Sequence, residues 1–165
     1  MSGFGDRRVL GRSGLEVGRI GLGSSFGLGA DDVERAVERG VDWLYWGTAR
    51  TRAFGEGIRR VTRKDRDRAI VVVQTYTRAA TLLGPSLTSA LRALELEHVD
   101  VLLLGWWNEP PPERILEAAL REKERGRARH VMISCHRRTT FQRYVEDPRY
   151  AAIMVSNVGA KASGW

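Results

Sequence analysis

Tyr45 is a candidate proton donor, because it lies near the end of segment 42–46, which we predict to be a short buried strand that follows a helix. Catalytic groups commonly lie at the ends of such strands in enzymes built from alternating strands and helices. A phenol has an ordinary pKa of about 10, so it is a weak acid at neutral pH unless a cation and hydrogen bonds adjust that pKa. Tyr45 is therefore the predicted catalytic residue, and a packing role is the alternative.

Further polar and aromatic side chains follow later apolar segments, and we expect them near the same mouth. Such side chains can line a ligand pocket. The alternative is that the tryptophans only cover the end of the strands. The candidates are Gln74, Tyr76, Trp106, Trp107, Asn108 and Glu109, of which Gln74, Trp106 and Asn108 are the predicted pocket residues.

The sequence gives little support for a nucleophilic cysteine or for a metal site. Cys135 and His136 are adjacent at a strand end, so their side chains are expected to diverge. His98 and His130 fall at the amino ends of their strands, far from those groups. We therefore predict neither a Cys–His nucleophile nor a metal site. Gly21 and Gly23 lack the spacing and the third glycine of a dinucleotide fingerprint.

The composition is that of one globular domain. The 165 residues are 42% hydrophobic, and they contain neither an apolar run long enough to span a membrane nor an apolar signal core. Cys135 is the only cysteine, which excludes an internal disulfide and is typical of a reducing compartment. A cytoplasmic protein without a membrane partner is the expectation.

The net charge of +7 raises the question of a polyanion partner. Of the 27 basic residues only Lys64, Lys123 and Lys161 are lysine, so the remaining 24 are arginine. These arginines are spread over the predicted helices and loops and form no single stripe. Solvated helix faces are therefore the favoured interpretation, and we expect no nucleic acid partner.

The hydrophobic pattern predicts a small hairpin over residues 8–17 and then strands that alternate with helices. The continuous apolar run 69–73 is typical of a parallel strand buried on both faces. An open doubly wound sheet and a barrel both fit this alternation. The predicted strands are 19–23, 42–46, 69–73, 99–104, 130–133 and 151–155, and the predicted helices are 31–39, capped by Asp31, 54–62, 86–96, one from Pro112 to Gly126, and 139–146.

Four sequence motifs resemble those of the aldo/keto reductases, in the same order. Segment 8–17 resembles the family's opening R-x-L-G-x-(S/T)-G-L-x-V, and segment 40–44 resembles G-(I/V)-N-x-(F/L). Segment 86–100 resembles the S-L-x-x-L…V-D stretch, and segment 126–134 resembles G-K-(I/V)-R-x-(I/L)-G-V-S. The resemblance implies an α/β fold that is a partial (β/α)8 TIM-type barrel. It would be a single domain over residues 1–165, with six strands after the hairpin, lacking the family's C-terminal strands and cofactor loops.

The resemblance also implies hydride transfer from NADPH to a small carbonyl substrate, with a Tyr proton donor tuned by Asp, Lys and His. Here the Asp position falls on Tyr45, the Tyr position on Arg50 and the Lys position on Thr75 or Tyr76. The His position falls on Gly105. Because none of the four is kept, we expect little or no reductase activity.

The cofactor positions are kept in part. The family's Ser-Asn pair falls on Ser134 and Cys135, and its sixth-strand Gln falls near Ile153. Ser134 is thus the predicted cofactor-binding residue, and NADP(H) is the implied cofactor. The alternative function is a non-catalytic binding or regulatory domain, which pairs as a homo-oligomer or with another protein through the open edges of the first and sixth strands. A natural short protein and a fragment of a longer one both fit the sequence.

Overall fold

The computed structural model describes residues 6–47 and 50–155, so the predicted domain 1–165 includes residues outside the described part. A hairpin of two short strands comes first, and parallel strands and helices then alternate. The elements are β1 (Arg8–Val9), β2 (Glu16–Val17), β3 (Gly21–Gly23), α1 (Ala30–Glu38), β4 (Trp43–Trp46), α2 (Arg52–Lys64), β5 (Ile70–Thr75), α3 (Ala80–Leu94), β6 (Val99–Leu104), α4 (Glu113–Glu124), β7 (Ala128–Cys135), α5 (Arg138–Glu146) and β8 (Ile153–Val155).

The six strands after the hairpin form one parallel sheet in the order β3-β4-β5-β6-β7-β8. The sheet curls into a half-barrel, which confirms the predicted partial (β/α)8 fold with an N-terminal hairpin. Within the described residues β3 and β8 have one strand neighbour each, as expected for the first and sixth strands. Their pairing with another chain stays a prediction. None of the described helices is long and apolar enough to cross a membrane.

Strand residues alternate between two apolar layers, because successive side chains point to opposite faces of a sheet. Leu102 and Leu104 belong to the large cluster between the sheet and the helices. Val101 and Leu103 belong to a smaller cluster on the concave face. Since both faces are covered, the strand is apolar except at Asp100, and β6 coincides with its predicted bounds, 99–104.

The hairpin closes the amino end of the curled sheet. Leu10 and Leu15 pack against the concave cluster. The backbone N–H of Arg12 donates to the carbonyl of Ala151 at 2.7 Å. A Cβ added at Gly11 would lie 2.2 Å from the same carbonyl oxygen, so this close approach requires glycine. The hairpin leaves the carboxyl ends of the strands uncovered.

Two helix starts differ from the sequence expectation. Helix α1 begins at Ala30, and the carboxylate of Asp32, not Asp31, accepts the backbone N–H of Gly29 at 2.9 Å. Helix α3 begins at Ala80 rather than at residue 86 and passes through Pro85. Proline in the second turn removes only one backbone hydrogen bond, and the earlier turn buries Leu83 completely against the core.

Candidate functional site

Tyr45 and Gln74 meet on the concave side of the sheet, at the carboxyl ends of β4 and β5. The Tyr45 hydroxyl donates a hydrogen bond to Oε1 of Gln74. Gln74 is only 8% exposed. Its Nε2 is buried and has no hydrogen-bond partner among the described residues. The structure thus brings together the predicted proton donor and one predicted pocket residue, and it fixes them to each other.

Gly105 provides the space that Gln74 occupies. A Cβ added at Gly105 would lie 2.1 Å from Nε2 and 2.8 Å from Cδ of Gln74. Heavy atoms that are not bonded cannot approach so closely, so any side chain here would displace the amide. The position where the resemblance places the catalytic His is therefore filled by an amide from the neighbouring strand. Sequence reasoning noted only the missing histidine, and the glycine itself was the one available signal.

The surroundings of Tyr45 make its phenol a weaker acid than usual. Burial is the largest influence and raises the pKa of Tyr45, and the hydrogen bond and charge of Tyr76 raise it further. No cation is among these influences. Ionisation of a buried phenol is costly because the phenolate loses its hydration. The arrangement therefore opposes proton donation at neutral pH.

Trp106 forms an exposed aromatic surface at the mouth. It is 61% exposed and has a left-handed backbone with φ of +58°. Such a conformation is rare for a bulky residue and is held here from both sides. Its backbone N–H donates to Ser134 Oγ at 2.8 Å, and its backbone carbonyl accepts from Arg78 Nη2 at 2.8 Å. The rings of Tyr76 and His136 meet it edge-on, with centroids at 5.5 and 6.0 Å.

Arg78 organises this mouth, and sequence reasoning missed it. Besides Trp106 it contacts Gly105, whose carbonyl accepts from Nη1 at 2.9 Å. Its guanidinium carbon lies 3.9 Å from the ring centroid of Trp107, a cation–π contact. Its place shortly after a predicted strand end could have marked Arg78 as a site residue. The sequence contains 24 arginines, however, so this one did not stand out.

The remaining predicted residues serve local contacts. Ser134 is buried, and its Oγ accepts the Trp106 N–H. Asn108 contacts the end of β7 and the start of α5: its Oδ1 accepts the backbone N–H of His136 at 2.9 Å, and its carbonyl accepts from Thr140 Oγ1 at 2.7 Å. Cys135 is fully buried while His136 is exposed, so the two side chains diverge as predicted. Among the described residues no group of three His, Cys, Asp or Glu side chains could hold a metal ion.

Comparison with known proteins finds solved structures that are similar in fold. No family model and no curated protein matches the sequence. The fold is similar to an aldo-keto reductase from Bacillus halodurans in its holo form, with a TM-score of 0.78 and 19% identity over 92% of this chain and 57% of that one. It is also similar to a Bombyx mori aldo-keto reductase in complex with NADP, with a TM-score of 0.71 and 19% identity over 92% of this chain and 58% of that one.

A third similar structure is an aldo/keto reductase from Brucella melitensis, with a TM-score of 0.72 and 16% identity. That match covers 92% of this chain and 62% of the other. The chain thus spans about 57–62% of the length of these three proteins. At these identities the likeness concerns the fold. The chain has the fold of the aldo-keto reductases over part of their barrel.

Proposed function

We propose that this chain is an aldo/keto-reductase-like protein with little or no reductase activity, whose strand-end mouth serves binding rather than hydride transfer. The observation that carries the proposal is the contact between the Tyr45 hydroxyl and Gln74, with Gly105 beneath the amide. In the family that the chain resembles, the positions of Tyr45 and Gly105 correspond to the catalytic Asp and the catalytic His.

Carbonyl reduction requires two transfers. A nicotinamide supplies hydride to the carbonyl carbon, and an acid supplies a proton to the oxygen, so that the product is an alcohol. The phenols of Tyr45 and Tyr76 lie at this end of the sheet, and Tyr45 is more buried than Tyr76. Burial raises the pKa of Tyr45 instead of lowering it. An acid works best when its pKa lies near the working pH. Proton transfer from Tyr45 would therefore be slow even with cofactor and carbonyl compound in place.

The mouth fits a nicotinamide cofactor only in part. Ser134 Oγ accepts from Trp106 N–H, so its own hydroxyl hydrogen is left to donate to a carboxamide oxygen. The second member of the family's pair is Cys135, whose fully buried side chain faces Arg137 and Asn108. Trp106 offers an exposed ring that could stack on a flat ligand. NADP(H) is thus the cofactor to expect here, held more loosely than in a protein with both polar groups.

Activity assays with a panel of small aldehydes and NADPH test the proposal. The wild-type chain should oxidise NADPH little faster than the buffer alone and no faster than the Tyr45→Phe variant, because Tyr45 does not act as the acid. A working general acid contributes roughly 100- to 10,000-fold to the rate. Turnover that is lost in Tyr45→Phe and kept in the control variant Tyr76→Phe would contradict the proposal.

A further inference from the structure

A surface groove lies on the helix layer, between α3 and the connection from α4 to β7, away from Tyr45. Its volume is about 490 Å³, which lies within the usual range for ligand clefts, about 300–1,000 Å³. Three arginines and two hydroxyl groups line it, together with Gly84 and Pro85. These polar residues are Thr88, Ser89, Arg92, Arg125 and Arg127.

One wall of the groove is built on the buried carboxylate of Glu122. Only 3% of Glu122 is exposed. Its Oε1 accepts from Arg125 Nη1 at 3.1 Å, and its Oε2 accepts from Arg127 Nε at 2.6 Å. Arg127 also donates from Nη1 to Thr88 Oγ1 at 2.6 Å. A Cβ added at Gly84 would lie 3.0 Å from Glu122 Oε1, so the small residue lets the carboxylate approach α3. The guanidinium of Arg127 is therefore fixed in place before any ligand binds.

The opposite wall carries polar groups that are not used within the protein. Ser89 and Arg92 are exposed and stand three residues apart, on one face of α3. Neither side chain forms a hydrogen bond or ion pair with the described residues. Three arginines and one glutamate give the groove a formal charge of about +2. That charge matches a dianion.

We propose that this groove binds the phosphate monoester group of a small molecule. Phosphate monoesters carry nearly two negative charges at neutral pH, and their oxygens accept hydrogen bonds from guanidinium groups in paired geometry. Arg92 and Arg127 would hold the phosphate from the two walls, and the Ser89 hydroxyl would donate to a third oxygen. A nucleic acid fits less well, because Arg92 is the only charged residue of α3 and a polymer needs cations along its length.

Isothermal titration calorimetry of the full chain with sodium phosphate at slightly alkaline pH tests this site. A separate titration with sodium chloride at matched ionic strength is the control. We expect saturable binding with a dissociation constant of roughly 1 mM. Arg92→Ala should weaken it about tenfold, and Ser89→Ala should weaken it by a smaller factor. Neither exposed side chain contributes to the core, so both variants should fold, as circular dichroism would verify.

Arg114→Ala is the matched control, because it removes the same charge from the exposed start of α4. Phosphate should bind this variant as it binds the wild type. Equal weakening by Arg92→Ala and Arg114→Ala, or no saturable heat with the wild type, would overturn the proposal. So would binding of a short DNA duplex that depends on Arg92 while phosphate itself does not bind. The experiment needs no enzymatic activity, so its outcome is independent of the function proposed for the mouth.

Discussion

Asp100→Ala should lower the free energy of unfolding by about 3 kcal/mol. Asp100 is 2% exposed and accepts three hydrogen bonds. Two come from Arg66 Nη2 at 2.9 Å and Arg129 Nη1 at 3.0 Å, and the third comes from the backbone N–H of Val71 at 2.8 Å. Without the carboxylate two guanidinium groups would face each other without a counter-charge. The V-D aspartate of the resemblance therefore has a structural role, since it joins β6 to the amino ends of β5 and β7.

Urea denaturation at neutral pH measures this effect. Asp67→Ala is the control, because Asp67 is exposed in the short turn Arg66–Arg68 and forms no ion pair with the described residues. Exposed substitutions of this kind usually change stability by less than about 0.5 kcal/mol. If the two variants lost the same stability, the Asp100 contacts would not contribute as the geometry indicates.

Gly105→Ala should cost about 1–3 kcal/mol, because the new methyl group would overlap the Gln74 amide. The backbone is not the cause, since Gly105 is absent from the described residues with positive φ. Its added Cβ would lie 2.1 Å from Gln74 Nε2, so the amide must move and leave the Tyr45 hydroxyl. The substitution thus disrupts the contact on which the proposed function rests.

A double-mutant cycle isolates this overlap. In a Gln74→Ala background the amide is gone, and Gly105→Ala should then cost close to nothing. The coupling energy between the two positions should reach about 1 kcal/mol or more, as found for residues in direct contact. Additive effects of the two substitutions would show that Gly105 and Gln74 do not share this space.

The strands of the fold were readable from the sequence because burial on both faces leaves continuous apolar runs. The motifs then selected a barrel over an open sheet. The start of α3 was not readable, since Pro85 is a usual sign of a helix end, whereas burial of Leu83 extends the helix past it. Local pattern predicts an element when its signal is not opposed by tertiary contacts.

The sequence predicted the site residues of each strand separately, but not the contacts between them. Tyr45 and Gln74 were each placed at a strand end, but their contact depends on how β4 and β5 align, which only the folded sheet fixes. The phosphate-binding groove shows the same limit. Arg127 contacts Thr88 across 39 residues of chain, so arginines that are scattered in the sequence converge in space.

Spectrophotometric titration of Tyr45 tests the central claim most directly. The tyrosinate absorbance of the wild-type chain is compared with that of Tyr45→Phe as the pH rises, while circular dichroism confirms that both remain folded. An ordinary tyrosine is mostly ionised above about pH 10.5. We expect no difference between the two proteins at that pH, because burial keeps the Tyr45 phenol protonated. Ionisation of Tyr45 at or below its ordinary pKa would contradict the account and restore it as a competent proton donor.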